Sequence, residues 1–168
     1  GFNLAIGGSS LTALLTGESN IAIGSSAIQA MTGGTKNTAV GFNSMVNVTT
    51  GSWNVAIGAG TLQRNISGSN CVVIGNQAGS WSTNSNEFFI GNDNYGNADN
   101  EISASLFYGQ FNTTTVSQSL QINATTDIRN NLKVTGSVQV SGSLTIANRV
   151  DISVLTTATA SLNLALGS

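Results

Sequence analysis

The sequence predicts an all-β solenoid built from stacked 17-residue coils, and three observations carry that prediction. The first is a phrase that returns at a fixed step: Asn3-Leu4-Ala5-Ile6-Gly7, Asn20-Ile21-Ala22-Ile23-Gly24, Asn37-Thr38-Ala39-Val40-Gly41 and Asn54-Val55-Ala56-Ile57-Gly58. Its closing glycines fall at 7, 24, 41, 58 and 75, and a second set stands at Gly17, Gly34, Gly51 and Gly68 with the same step. A constant period means one supersecondary unit stacked on itself. The second observation is alternation within the phrase. Val55 and Ile57 share one face and Ala56 takes the other, because strand side chains have period two. The third is composition. Two glycines per unit, with β-branched and hydroxylated residues around them, work against helix, whereas glycine at a corner can take a positive φ.

The elements follow in order. Residues 1–91 form the repeat array. The strand is the short apolar phrase, the glycine after it turns one corner, and the second glycine is expected to turn another. Alanine in the middle of the phrase lets another backbone approach closely on that side. The opening asparagine is expected to be structural, bonding neighbouring backbone at a turn and its own copies in an amide ladder. The period drifts after the fourth copy, where Asn70 lies five residues before Gly75, and Phe88 and Phe89 replace small residues in the next copy. Atypical terminal repeats cap a stack, so the solenoid is expected to end near residue 91. Residues 92–101 read as a polar linker. Residues 102–168 read as a β-rich connector and shaft. Ile102, Leu106, Tyr108, Phe111, Val116, Leu120 and Ile122 mark strands, and a weak helical stretch lies near 124–132. A six-residue rhythm from Val134 to Ile146 suits a triangular prism of short strands. Asn163-Leu164-Ala165-Leu166-Gly167 repeats the opening phrase, which argues that the chain is a fragment of a longer polypeptide.

The repeat has apolar residues on both faces of its strand, and a coil this short has a thin interior. One apolar face is therefore left over, and soluble proteins avoid such a stripe. Association around an axis parallel to the rod covers it with the same patch on each subunit, so a homotrimer is expected. Charged residues are 7 % of the chain, against about a quarter in an ordinary domain, which fits a surface largely covered by other copies.

The units Asn20–Gly24 and Asn54–Gly58 resemble the head repeats of trimeric autotransporter adhesins. The longer form, Asn37-Thr38-Ala39-Val40-Gly41-Phe42-Asn43-Ser44-Met45, is similar to repeats in phage and virus tail-fibre proteins. Ser105-Leu106-Phe107-Tyr108-Gly109-Gln110-Phe111 is similar to what lies between repeats and chaperone domain in such fibres. The resemblance covers residues 1–91 well and 102–146 loosely. It implies a homotrimeric left-handed parallel β-roll followed by a β-rich triangular shaft. It also implies a structural and adhesive fibre segment, giving reach and multivalent attachment to a host surface. The expected setting is a virion tail fibre, with tail or baseplate proteins and host surface glycans or proteins as partners. The alternative is a head or stalk segment of a bacterial surface adhesin. The 17-residue step is longer than expected for adhesin heads and favours the fibre. A polysaccharide-degrading tailspike is a further rival.

Several function classes lose support from composition. The chain has no histidine and one cysteine, which removes Ser-His-Asp and Cys-His catalysis within the chain and disfavours zinc. The seven acidic residues (Glu18, Glu87, Asp93, Asp99, Glu101, Asp127 and Asp151) are too sparse to nominate a glycosidase pair. Asp93, Asp99 and Glu101 do not have the spacing of a calcium loop. Gly33-Gly34-Thr35-Lys36 lacks the order of a phosphate loop. The basic residues Lys36, Arg64, Arg129, Lys133 and Arg149 make no stripe for nucleic acid, and no apolar run reaches membrane-spanning length. An ice-binding solenoid wants a threonine column, but the matching column is Leu4, Ile21, Thr38 and Val55. No enzyme activity, cofactor, metal or catalytic residue is expected. Cys71 stands where other copies carry asparagine and reads as a small buried apolar residue. Four Asn-x-Ser/Thr sequons, at Asn47, Asn65, Asn112 and Asn123, match by composition alone. Phe42, Trp53, Trp81, Tyr95 and Phe111 are candidates for sugar contact if exposed, with packing between repeats the competing role for the two tryptophans.

Overall fold

The structure, a computed structural model, describes residues 1–92, 96–112, 114, 118–124 and 126. The expected shaft rhythm from Val134, the phrase at 163–167, Asp93, Tyr95, Val116 and most of the stretch 124–132 lie outside the described residues.

The described chain forms one sheet whose strands neighbour each other in sequence order. Six strands pair in parallel: β1 (Leu4–Ile6), β2 (Ile21–Ile23), β3 (Thr38–Val40), β4 (Val55–Ile57), β5 (Val72–Ile74) and β6 (Glu87–Ile90). Each is separated from the next by a single coil, giving a solenoid of about five turns with about 17-residue spacing. The register repeats without slip from Leu4↔Ile21 to Val55↔Val72. The fifth copy stays in phase, as the 17-residue step to its closing Gly75 indicates. Cys71, and not Asn70, occupies the opening position, and the step shortens to 16 only at Val72↔Phe88.

Backbone hydrogen bonds run from coil to coil in the turns as well as the strands. Ile28 N donates to Ser44 O at 2.9 Å and Thr32 N to Thr49 O at 2.8 Å. Stacking in this way satisfies turn amides that would otherwise be buried unpaired. The glycine after each strand is required: Gly41 has φ 138°, and a Cβ there would lie 2.4 Å from Gly58 O. Three more residues of that coil are left-handed, Asn43, Met45 and Trp53, with φ of 55°, 55° and 63°. The second glycine set does not turn a corner through positive φ. Gly34 is needed because a Cβ on it would stand 2.2 Å from Gly51 O one coil on, so close backbone stacking excludes a side chain there.

The interior is built from columns of equivalent residues. Ala22, Ala39 and Ala56 point inward and are fully buried, as are Ile28, Met45 and Leu62 in a second column and Met31 and Val48 in a third. The small middle residue of the phrase thus faces the coil interior, where the opposite turn comes close: Ser44 Oγ donates to Ala56 O at 3.2 Å. The opening asparagines form the expected ladder. Asn37 Nδ2 donates to Asn20 Oδ1 at 3.0 Å and to Gly51 O at 2.8 Å, and Asn37 Oδ1 accepts from Asn54 N at 3.0 Å. A second, outer ladder of hydroxyls runs beside it, from Thr35 N to Ser52 Oγ and from Ser52 N to Ser69 Oγ.

After β6 the chain changes direction. Helix α1 (Ala98–Ala104) occupies part of the expected polar linker, with Asn97 Oδ1 accepting from Asn100 N at 2.8 Å as an N-cap. Ile102, expected on a strand, lies in this helix. Strand β7 (Phe107–Gln110) then pairs antiparallel with β6, and β8 (Ser119–Ile122) antiparallel with β7. Phe89 and Tyr108 stack across that junction with ring centroids 4.9 Å apart.

Candidate interaction surfaces

Alternation places the first and third residues of each strand on the outer face of the sheet. The first-position row reads Leu4, Ile21, Thr38, Val55, Val72 and Phe88, and register continues it through Gly109 to Leu120. The third-position row reads Ile6, Ile23, Val40, Ile57, Ile74 and Ile90, then Phe107 and Ile122. Thr38 is the one polar side chain in the two rows, so the outer face is apolar along all eight strands. Leu4, Ile6, Ile21, Ile57 and Ile74 are 46, 53, 38, 42 and 38 % exposed, and Leu120 and Ile122 are 62 and 43 % exposed. A contiguous apolar strip of this kind makes the face a candidate interaction surface. The antiparallel strands belong to the same surface, because the register of β7 and β8 carries both rows onward.

A third row lines the corner beside the first-position row. Ser19, Lys36, Trp53, Asn70 and Asn86 occupy equivalent left-handed positions in successive coils, with φ between 57° and 63°. Phe111 N donates to Asn86 O at 2.7 Å, which brings Phe111 to the end of this row. Lys36 Nζ sits 3.8 Å from the centroid of the Trp53 ring, and the Arg64 guanidinium carbon lies 3.6 Å over Trp81. Each pair joins one coil to the next by a cation–π contact. The two tryptophans therefore pack between repeats, the competing role named above, although Trp53 remains 56 % exposed. Lys36 and Arg64, the two basic residues among the described residues, are thus held on aromatic rings, and the sequence Gly33–Lys36 leads into β3 and not into a helix. Phe42 is exposed on another turn.

The ladder ends in a buried polar cluster. Cys71 N donates to Asn54 Oδ1 at 3.0 Å, but a thiol cannot continue the amide chain. Its Sγ reaches Ser69 O and Asn84 O, each at 3.6 Å. Burial pushes the Cys71 thiol above its ordinary value, with the Glu87 charge adding to the shift, which lowers the thiolate fraction on which thiol reactivity depends. The 16-residue step puts Glu87 in the next ladder position, fully buried. Its carboxylate accepts from Ser82 Oγ, from Asn84 Nδ2 at 3.2 Å and from Tyr108 OH at 3.2 Å. Burial, and then the Glu87 charge, raise the Tyr108 phenol above its ordinary value. Glu87 is buried at the seam between coils and antiparallel strands, where it ties the two together.

Asp99 lies exposed on α1, and among the described residues no three of His, Cys, Asp or Glu sit together as a metal-ligand set. No described helix is long and apolar enough to cross a membrane. Asn65, one of the sequons, is buried, with Nδ2 bonded to Asn84 O at 2.8 Å, and so is closed to glycosylation in the fold.

The fold and surface define a β-solenoid repeat protein with an open apolar sheet face. Comparison with family models, with curated proteins and with solved structures gave no match to this chain.

Proposed function

We propose that this chain is a structural and adhesive segment of a homotrimeric fibre, in a phage tail fibre or related virion appendage, that gives reach and multivalent attachment to a host surface. The observation that carries the reading is the apolar outer face, whose two rows hold Thr38 as their one polar side chain. Completing the burial of its seven well-exposed aliphatic residues stabilises by about 1 kcal/mol apiece, or about 7 kcal/mol per chain. Summed over three chains this exceeds the cost of association at the lower and middle estimates, about 4–15 kcal/mol per step. An axis parallel to the rod keeps all chains pointing the same way, as a fibre requires, and brings the same face of each copy inward. Three is the copy number of the fibre and adhesin repeats that the sequence resembles, and the 17-residue step favours the fibre. A left-handed roll and a triangular shaft within residues 102–168 belong to the same proposal.

The test is the mass of the native particle. Light scattering is expected to give three times the 17.1 kDa chain, and the double substitution Ile23→Lys, Ile57→Lys on the third-position row is expected to reduce it to one chain. A parent protein that runs as a monomer at micromolar concentration refutes the trimeric fibre.

A further inference from the structure

The corner row ends in a concave site whose chemistry is unlike the aliphatic face beside it. Asn70, Asn86, Phe111 and Asn112 line a depression of about 420 Å³. A second depression of about 520 Å³ adjoins it at Phe111 but opens on the aliphatic face, since Phe88, Gly109 and Leu120 of the first-position row line it, so the polar corner depression alone is the candidate site. The Phe111 ring is 46 % exposed and is propped by Phe88, with centroids 6.3 Å apart at a tilt of 55°. Asn70 Nδ2 donates to Asn86 Oδ1 at 3.2 Å. Both residues are exposed and line the depression, and the bond between them leaves Asn70 Oδ1 as an acceptor and Asn86 Nδ2 as a donor. The Asn112 carbonyl oxygen is occupied by Gln118 Nε2 at 2.8 Å, and its Oδ1 by Thr114 N at 3.1 Å, which hold that wall in place. No charged residue lies between Gln110 and Ile122 in the sequence, and the nearest corner cation, Lys36, is committed to Trp53.

We propose that the Phe111–Asn86–Asn70 corner is a binding site for a neutral saccharide. A sugar ring offers one face of C–H groups and a rim of hydroxyls that both donate and accept. An exposed aromatic face matches the first, and an amide donor and acceptor a few ångströms away match the second. Among the described residues no basic side chain joins the lining, which selects against sulfated, uronic or sialic sugars, whose charge would be desolvated without a partner. Three copies on one fibre would add avidity to a weak single site. The inference rests on the attachment reading and supplies the ligand class for it.

The experiment is a panel of immobilised oligosaccharides, neutral and acidic, probed with the labelled full chain and with three variants. Phe111→Leu keeps apolar packing on Phe88 but removes the flat ring, Asn86→Ala removes the exposed donor, and Phe42→Ala alters an exposed aromatic elsewhere. Binding to neutral glycans is expected for the parent and for Phe42→Ala, with a loss of about tenfold or more in each of the other two, while particle mass and melting temperature stay at the parent values. Binding confined to acidic glycans overturns the assignment. So does neutral binding that survives both Phe111→Leu and Asn86→Ala, or the absence of any glycan binding. A particle that keeps its trimeric mass in these cases leaves the fibre reading standing, whereas a monomeric parent removes that reading separately.

Discussion

Replacing Asn37 with alanine cuts the amide ladder at its centre, and the cost can be worked from the partners left behind. Asn37 is fully buried. Its Oδ1 is the acceptor for Asn54 N at 3.0 Å, and its Nδ2 is the donor to Gly51 O at 2.8 Å. Both backbone groups are orphaned by the substitution. The bonds to Asn20 Oδ1 and Asn54 Nδ2 are also lost, but those atoms keep partners, since Asn37 N still reaches Asn20 Oδ1 and Asn54 Nδ2 still reaches Gly68 O. An unsatisfied buried backbone group costs about 1–3 kcal/mol, so two give about 3–5 kcal/mol after partial relaxation. That is a large share of the stability of an ordinary domain, about 5–15 kcal/mol. Asn3→Ala serves as the comparison. Asn3 makes the equivalent bonds, to Gly17 O and from Asn20 N, but lies exposed at the end of the stack, where water replaces them and the expected cost is about 1 kcal/mol. Urea unfolding followed by circular dichroism, at one fixed chain concentration because assembly would shift the midpoint, reads the difference. If Asn37→Ala costs no more than Asn3→Ala, the ladder is not a source of stability and the reasoning fails.

Gly41→Ala introduces both a left-handed alanine and a clash with Gly58 O. It is expected to cost about 3 kcal/mol or more, and a melting temperature within a degree of the parent would refute the close-stacking account. Ile28 is β-branched yet has φ 50°, whereas Leu11, Met45 and Leu62 hold the same place in other coils. Ile28→Leu is therefore expected to be neutral or stabilising by about 1 kcal/mol, where a buried swap of this kind ordinarily costs up to about 1.5 kcal/mol; denaturant midpoints decide. Folding raises the proton affinity of both Cys71 and Tyr108. Their protonated forms are favoured in the native state, so stability is full below their ordinary values of 9.0 and 10.0 and is lost as pH climbs through the raised ones. Urea midpoints measured from pH 7 upward should fall above about pH 9, and Cys71→Ala should blunt the earlier part of that fall.

The array was legible because its signals are local and repeated. The phrase with asparagine first and alanine in the middle gave the strand positions, the ladder and the inward column, each of which follows from period-two geometry. What escaped has a physical reason in each case. The left-handed backbone at Ile28, Met45 and Leu62 is imposed by stacking and opposes the residues' own preference, so no propensity reveals it. The hydroxyl ladder at Thr35, Ser52 and Ser69 was visible in the position after the second glycine, but in so Ser- and Thr-rich a chain that signal has little contrast. Glu87 was hidden by register: Asn86 reads as the opening asparagine, and only the 16-residue step moves the acid into the ladder. Helix α1 had a cap at Asn97 and acids at 99 and 101, but it is shorter than two full periods of an amphipathic pattern. Phe111 could be named as a candidate from its type. Its neighbours Asn70 and Asn86 could not, because they meet it through a long sequence separation.

Coil-to-coil register also limits how such a chain can change length. Because Gly7, Gly24, Gly41 and Gly58 must each sit on the next coil's backbone, insertions or deletions fit only as whole units. Each unit moves everything beyond it by about 4.8 Å while leaving every surface row continuous. The solenoid can thus be lengthened or trimmed in quanta, by duplication or loss of a single genetic segment, without breaking any of its side-chain columns.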